Sequence, residues 1–233
     1  MATTSFPMTR QSAVLGAASD DPALRERSWS ALVSAYWKPA YKHVRIKWKA
    51  SPDDARDSIQ GFFEKAMEKD FFAGYQPALA RFRAFFKTCL DRYVSNEVRA
   101  AQRQKRGGPA LEFEEAEREL EHAGAAAFES PDDVFEREWR RQLFASALVT
   151  LRARAEEQGK QAAFSAFEKY DLCDPPRPRY EDLARELGVP ATTVTNYLSW
   201  ARGQLRSLVL DQLEQLTASE QELSVEARDV GVA

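Results

Sequence analysis

The sequence has few of the residues on which catalysis and metal binding usually depend. Its 233 residues include only two cysteines, Cys89 and Cys173, and two histidines, His43 and His122. The cysteines are far apart and match no metal-ligand spacing, so neither a disulfide framework nor a zinc site is expected. Neither histidine stands in a pattern that would serve a nucleophile, and no phosphate-binding glycine loop occurs. The sequence therefore predicts a protein that is not an enzyme and that uses no metal or cofactor.

Long apolar runs are also missing. No stretch approaches the roughly 20 apolar residues of a membrane-spanning helix, and the apolar stretch at residues 14–18 is too short for the core of a signal peptide. A hydrophobic content of 44% is nevertheless sufficient for ordinary cores. We expect a soluble, cytoplasmic protein with one large or two small domains and no membrane insertion.

Charge is distributed unevenly along the chain, although the formal net charge is only −3. Eight basic and two acidic residues lie between Arg81 and Arg106, whereas eleven acidic and two basic residues lie between Glu112 and Glu138. The net charge therefore conceals a basic helix and an acidic connector that follows it. Basic side chains on one helix are typical of contact with nucleic acid phosphates.

Apolar residues recur at helical spacing through most of the chain, and no stretch alternates as a strand does. Two Ser-Pro-Asp-Asp segments, at Ser51 and Ser130, are typical helix starts, because serine caps a helix, proline suits its first position and acids favour its dipole. The helix after Ser51 is predicted to end near Lys69. Pro39 is expected to separate two helices.

The segment from Tyr180 to Arg206 has the pattern of two helices joined by a tight turn. Gly188 can adopt the left-handed conformation that ends a helix, and Pro190 suits the start of the next one. Short polar side chains on the outer face of the second helix can reach base edges in a major groove. A DNA-binding helix-turn-helix and an ordinary helical hairpin both fit this pattern.

These patterns predict an all-α fold of two small helical domains joined by an acidic flexible linker, with the helix-turn-helix at the end of the second domain. The linker is either a flexible tether or an acidic segment that imitates nucleic acid. Such a segment would lie in basic channels of a partner or cover the basic helix of the free protein. The C-terminal tail is either a frayed helix extension or a regulatory segment. The predicted ranges are an N-terminal tail at 1–18, a first domain at 19–106, the linker at 107–130, a second domain at 131–213 and a C-terminal tail at 214–233.

Several segments carry a resemblance to a known family: Tyr-Trp-Lys-Pro-Ala-Tyr at 36–41, the acidic segment at 54–63, Arg-Phe-Arg at 81–83, Lys-Arg-Gly-Gly at 105–108, and the helix-turn-helix. In their order they resemble a bacterial RNA polymerase sigma factor of the extracytoplasmic-function (ECF) group. The resemblance implies a non-catalytic transcription initiation subunit that binds core RNA polymerase. It implies that the first domain reads and opens the minus-ten element and that the second reads the minus-thirty-five element. A free-standing helix-turn-helix transcriptional regulator is the alternative.

The resemblance assigns core-polymerase contacts to the helix after Ser51, which in the family docks on the clamp of the largest polymerase subunit. Positions 53, 57, 60 and 64 share one helix face, although a merely solvated acidic face has the same spacing. Arg56 departs from the family, which commonly has an acid there. The residues assigned to core-polymerase binding are Asp53, Asp54, Asp57, Gln60, Phe63 and Glu64.

The resemblance assigns the minus-ten element to the basic helix and to the loop that precedes it. Basic side chains neutralise phosphates, and aromatic rings and amides hold an unstacked base. The resemblance implies that binding energy opens the duplex and that no ATP is needed. Asn96 aligns with a base-reading position and Tyr75 with a loop that captures a flipped base. The residues assigned to minus-ten DNA are Tyr75, Arg81, Arg83, Asn96, Arg99, Arg103, Lys105 and Arg106.

The resemblance assigns the minus-thirty-five element to the second helix of the helix-turn-helix. Its short polar side chains are assigned to base edges, Arg202 to a phosphate, and Arg177 and Arg179 to the DNA backbone. The expected partners are core RNA polymerase, promoter DNA and an anti-sigma factor or other regulator, with no cofactor. The residues assigned to minus-thirty-five DNA are Arg179, Thr192, Thr193, Thr195, Asn196, Ser199 and Arg202.

Overall fold

The computed structural model describes residues 12–101 and 130–233. All regular secondary structure in these ranges is helical, which confirms the all-α prediction. In chain order the helices are α1 (Ala13–Gly16), α2 (Pro22–Lys47), α3 (Pro52–Glu68), α4 (Phe82–Ala101), α5 (Pro131–Glu157), α6 (Gln161–Asp171), α7 (Tyr180–Leu187), α8 (Ala191–Gln215) and α9 (Glu220–Asp229).

Both Ser-Pro-Asp-Asp segments begin helices as predicted. The Ser51 hydroxyl oxygen accepts a hydrogen bond from the backbone N–H of Asp54 at 3.1 Å, at the start of α3. The Ser130 hydroxyl oxygen accepts one from the backbone N–H of Asp133, also at 3.1 Å, at the start of α5. Because each cap satisfies an N–H that the helix itself cannot pair, the starts of both helices are defined by local sequence.

Proline does not divide α2, contrary to the expectation for Pro39. The helix continues through Pro39, although proline lacks the N–H that a helix interior normally pairs. The neighbouring residues Tyr36, Ala40 and Tyr41 are almost completely buried. Packing on this part of the helix therefore outweighs the local preference for a break.

The described chain divides into two compact units. The first contains residues 12–101, 130–142, 213–231 and 233, and the second contains residues 143–212 and 232. The boundary between the units thus lies inside α5, whereas the predicted boundary was at residue 130. The predicted linker at 107–130 falls almost entirely outside the described residues, as does the N-terminal tail as far as residue 11.

Aromatic rings from four helices build the core of the first unit. Tyr36 of α2 stacks on Phe86 of α4 with ring centres 4.5 Å apart, and Phe62 of α3 meets Phe86 edge to face at 5.3 Å. Phe135, near the start of α5, is fully buried, with its ring centre 6.2 Å from that of Phe86. Fully burying one such ring stabilises a fold by about 1.5–3 kcal/mol. The start of α5 belongs to the first unit because it supplies part of this core.

Buried polar contacts also attach the start of α5 to α2. Lys42 Nζ lies 2.8 Å from Glu138 Oε2, and both side chains are buried. The His43 ring bridges further elements, with Nδ1 3.1 Å from the Pro131 carbonyl oxygen and Nε2 3.0 Å from Asp91 Oδ1. Removing one partner of such a contact leaves a buried charge or polar group unpaired, so these contacts fix how the helices of the first unit meet.

The C-terminal tail contains α9, which is part of the first unit. Ser219 caps this helix, because its hydroxyl oxygen accepts a hydrogen bond from the backbone N–H of Glu222 at 3.1 Å. Glu222, Glu226 and Ala227 are buried. Side chains of α9 therefore pack within the first unit.

The second unit contains α6, α7, the end of α5 and most of α8. Its interior includes Phe164 and Phe167 of α6, Leu183 of α7, and Val194 and Leu198 of α8, all of which are buried. These apolar side chains recur at helical spacing, as the sequence predicts. They leave the opposite face of α8 to solvent.

Candidate nucleic-acid and polymerase interfaces

The turn between α7 and α8 has the conformation that the sequence predicts. Gly188 has φ 65° and ψ 33°, in the left-handed region, and terminates α7. The N–H of Val189 donates to the Ala184 carbonyl at 3.0 Å, which satisfies one of the last free carbonyls of the helix. The Pro190 carbonyl accepts from the N–H of Thr193 at 2.9 Å and so begins the next helix. The two helices are thus joined by a short hydrogen-bonded turn.

The outer face of α8 consists of short polar side chains. Val194, Leu198 and Ala201 are buried on the inner face. Thr193 is half-buried. Hydroxyl and amide groups on an exposed helix face are donors and acceptors of the kind that base edges pair with. The assigned residues that are exposed are Thr192, Thr195, Asn196 and Ser199.

Arg202 lies near this face and is held by Asp171. Its Nε and Nη2 atoms donate to the two carboxylate oxygens of Asp171 at 2.8 and 2.9 Å. The guanidinium carbon also lies 5.7 Å from the centre of the Tyr170 ring, and that of Arg177 lies 5.5 Å from the same ring. A bidentate pair fixes the guanidinium in one orientation. Arg202, itself a residue of α8, is thus held in one orientation while its side chain stays about half exposed.

Arg179, at the start of α7, is exposed and paired locally. Its Nε donates to Asp182 Oδ2 at 3.1 Å, and Arg185 Nη1 lies 3.3 Å from Asp182 Oδ1. The hydrogen bond from Arg179 lowers the pKa of Asp182. Exposed pairs of this kind are weak, so Arg179 can exchange Asp182 for another anion.

The residues assigned to polymerase binding divide into an exposed and a buried group. Gln60 and Phe63 are buried. The spacing predicts that Gln60 is exposed on the same helix face as Asp57, and this prediction is wrong. The physical reason is that α3 packs against both α2 and α4, so its buried surface is wider than one stripe. The assigned residues that are exposed are Asp53, Asp54, Asp57 and Glu64.

Arg56 modifies the charge of this acidic surface. Its Nη1 atom lies 3.8 Å from Asp53 Oδ1, and the Asp53 side chain is 91% exposed. At this separation the pair is a loose surface contact that contributes little to stability. Arg56 therefore alters the local charge without burying the neighbouring acid.

Tyr75, in the loop before α4, is half-buried against α9. Its hydroxyl oxygen lies 3.0 Å from Glu222 Oε1 and 3.0 Å from the Ala80 carbonyl oxygen. Its ring meets Phe82 edge to face at 5.3 Å. Burial and the negative charge of Glu222 raise the pKa of Tyr75. The ring assigned to a flipped base is therefore engaged within the first unit.

Arg81 and Arg83, also assigned to minus-ten DNA, contact acids of α9. Arg81 pairs with Asp229, and Arg83 Nη2 lies 2.9 Å from Glu226 Oε2. The Arg83 side chain is only 5% exposed, and its Nη1 lies 3.0 Å from Glu136 of α5. In this conformation the Arg83 guanidinium is enclosed, whereas the Arg81 guanidinium is partly exposed and occupied by Asp229.

Of the remaining residues assigned to minus-ten DNA, the structure describes the side chain of Asn96 alone. Asn96 is exposed on α4. The side chain of Arg99 lies outside the described residues, as do the following residues Arg103, Lys105 and Arg106.

The acids that face the basic helix are not singled out by the sequence, which indicates only that the C-terminal tail is a frayed helix extension or a regulatory segment. Three of them occupy positions 222, 226 and 229 of α9, a spacing that places them on one helix face. That spacing is enough to predict an acidic helix face from the sequence. The partners of these acids are not predictable in the same way, because they lie far away in sequence. Lys87 is paired in a similar way, with its Nζ 3.4 Å from Asp132 and 3.3 Å from Glu136.

Other site types find little support in the described parts of the chain. Within residues 12–101 and 130–233, no group of three or more His, Cys, Asp or Glu side chains is arranged to hold a metal ion. Cys89 and Cys173 are free thiols. No helix in the same ranges is long and apolar enough to cross a membrane.

Comparison with known proteins finds no matching family model, no matching curated protein and no matching solved structure. The sigma-factor assignment therefore depends on the residues quoted above and on where the fold positions them.

Proposed function

We propose that this chain is an RNA polymerase sigma subunit of the extracytoplasmic-function group. It binds core RNA polymerase through the first unit and directs sequence-specific initiation through contacts with promoter DNA. The observation that carries the proposal is the outer face of α8, where Thr192, Thr195, Asn196 and Ser199 are exposed next to a helix-turn-helix turn.

The α8 face supports contact with DNA because of its size and chemistry. A major groove admits one helix, and short hydroxyl and amide side chains let the helix backbone approach the bases closely. Arg202 on α8 and Arg179 at the start of α7 keep exposed guanidinium groups, and each can exchange its surface aspartate for a phosphate. A helix whose outer surface only needed to be soluble would more commonly carry long Glu and Lys side chains.

The start of α3 supports contact with a second protein. Asp53, Asp54 and Asp57 are exposed within its first turns, and the buried Ile59 and Phe62 hold the helix against the first unit. A fixed cluster of carboxylates is suited to a basic docking surface, because opposite charges steer association and fix its orientation. This combination with a helix-turn-helix favours a polymerase subunit over a free-standing regulator.

The experiment that tests the proposal is a mixture of the full chain with core RNA polymerase and a promoter library. We expect a complex on size-exclusion chromatography and initiation that depends on the added chain. Asp57→Arg is expected to weaken the complex. Glu26→Arg makes the same charge change at an exposed position on α2 and serves as the matched control.

Absence of any complex between the wild-type chain and core polymerase would reject the sigma-subunit proposal. Sequence-specific DNA binding without a polymerase complex would favour the free-standing regulator instead. Equal loss of binding in Asp57→Arg and Glu26→Arg would mean that net charge, and not the α3 surface, determines docking.

A further inference from the structure

The acidic face of α9 covers the loop and helix start that are assigned to minus-ten DNA. The Glu222 carboxylate is its central contact. Its Oε1 atom accepts from the backbone N–H of Phe82 at 2.6 Å and lies 3.0 Å from the Tyr75 hydroxyl oxygen. Its Oε2 atom accepts from the N–H of Ala218 at 2.9 Å. Glu222 thus places an anion at the amino end of α4, where free N–H groups and the helix dipole favour negative charge.

The next two acids of α9 pair with the arginines on either side of Phe82, the first residue of α4. Glu226 Oε2 lies 2.9 Å from Arg83 Nη2 and 4.0 Å from Arg81 Nη1. Asp229 pairs with Arg81 and lies 3.8 Å from Arg83. Three carboxylates on one helix face therefore contact the two arginines, the Tyr75 hydroxyl and the start of α4.

These contacts have the same chemistry as contacts with single-stranded DNA. Phosphate oxygens, like carboxylate oxygens, accept hydrogen bonds from a helix start and are neutralised by arginine. An unstacked base requires an accessible aromatic ring, and the Tyr75 ring is half-buried beneath α9. The acidic face of α9 and a single DNA strand are therefore two candidate occupants of one surface of the first unit. Both are negatively charged, and they cannot be bound there at the same time.

We propose that α9 is an intramolecular competitor of single-stranded promoter DNA for the surface formed by Tyr75, Arg81 and the start of α4. With α9 docked the surface is closed to DNA, and with α9 released it is open. The inference rests on the proposed function, which assigns this surface to the opened minus-ten strand. It adds an internal regulator of that site.

Release of α9 is physically reasonable because its docking buries two acids. Glu222 is 5% exposed and Glu226 is 2% exposed. Removing carboxylates from water costs free energy that their partners must offset, so a buried ion pair contributes less than its contacts suggest. A DNA strand that supplies its own phosphates can therefore displace the helix.

The test compares full-length variants for binding to a fluorescent single-stranded DNA by anisotropy at low salt. Glu222→Gln combined with Glu226→Gln removes the two buried charges. We expect about tenfold tighter binding, because apparent affinity is reduced by the fraction of molecules in the closed state. The matched control, Asp211→Asn combined with Glu220→Gln, removes two exposed charges and is expected to change affinity far less.

Hydrogen exchange of residues 220–229 measures release of α9 directly. Faster exchange together with tighter binding supports the competition. If the buried-charge variant exchanges faster but binds DNA no more tightly than the control variant, the competition is overturned, since the surface would then be open without binding DNA. Unchanged exchange also overturns it, because docking would not depend on these carboxylates.

Asp229→Asn decides the question if the buried-charge variant does not fold by circular dichroism. The Asp229 side chain is 34% exposed, so its loss is compatible with a folded first unit. We expect a gain in affinity of about twofold, in line with a surface ion pair, and no gain for Glu220→Gln. Equal affinity of these two single variants would overturn the competition.

Failure of this inference is distinguishable from failure of the proposed function. The competition is measured on the protein alone, whereas the function requires a complex with core polymerase. A chain that forms the polymerase complex but gains no DNA affinity on release of α9 retains its proposed function and loses only the internal regulator.

Discussion

The guanidinium carbon of Arg83 lies 4.1 Å from the centre of the Trp139 ring, and both side chains are buried in the first unit. The arginine is thus stacked on an indole and paired with acids on either side. A guanidinium group in this arrangement contributes to stability through packing as well as charge. It connects α4, the start of α5 and α9 at one point.

Arg83→Ala is expected to destabilise the first unit by about 3–5 kcal/mol, because it leaves the buried Glu226 without its principal cation. Urea unfolding of the full chain, followed by tryptophan fluorescence, measures the loss. Arg92→Ala removes an exposed arginine from the same helix and is expected to have little effect. Similar losses in both variants would contradict a structural role for the Arg83 contacts.

Asn196→Ala and Arg202→Ala are expected to affect DNA binding in different ways. Loss of the amide should reduce discrimination between promoter and scrambled duplexes by about 1–3 kcal/mol, since an amide reads a base edge. Loss of the guanidinium should weaken binding to both duplexes alike, since a phosphate carries no sequence information. Anisotropy titrations on the two duplexes measure the difference, and identical behaviour of the variants would show that the assigned roles are wrong.

Stability is expected to fall in acid because of Asp91. Burial disfavours its ionised form, but hydrogen bonds from His43 and Lys47 outweigh burial and lower its pKa below 3.8. A lowered pKa in the folded state contributes stability above the ordinary pKa, and that stability is lost as pH falls from about 3.8 through the folded value.

Unfolding free energies measured across the acid range check this expectation. Asp91→Asn should be less stable at neutral pH and should lose less stability on acidification than wild type. Asp20→Asn, which removes an exposed carboxylate, should keep the wild-type pH dependence. A wild-type slope in Asp91→Asn would exclude Asp91 as its source.

Two glycines in the second unit should respond to alanine with opposite signs. Gly188 has φ 65°, so alanine there should destabilise the unit by about 1 kcal/mol. Gly203 lies within α8 with open space around the position of an added Cβ, so alanine there should stabilise it by about 0.5–1 kcal/mol. Thermal unfolding of both variants tests the pair, and a change of the same sign would contradict it.

Local signals predicted the parts of this fold that depend on neighbouring residues. Ser51 and Ser130 cap helices through hydrogen bonds to residues three positions later, and Gly188 ends a helix through its own φ angle. Each of these features is specified by a few consecutive residues. The exposed face of α8 follows from helical periodicity in the same way.

Features that depend on tertiary contacts were not predictable from such signals. Gln60 shares a helix face with Asp57 but is buried, because two neighbouring helices pack on α3. Phe135 follows a typical helix start, yet it completes a core whose other rings lie in α2, α3 and α4. The partners of Glu226 are likewise distant in sequence. Charge counting therefore identified the basic helix and suggested the acidic linker, and not α9, as its cover.

The docking of α9 has a consequence for the order in which the chain folds on the ribosome. Arg81 and Asp229 are separated by 148 positions in sequence, and residues 143–212 of the second unit lie between them. Domains fold as units while synthesis proceeds from the amino terminus. The second unit can therefore fold before α9, the last helix of the first unit, has been synthesised. A nascent chain at that stage presents Tyr75 and Arg81 without the acids of α9.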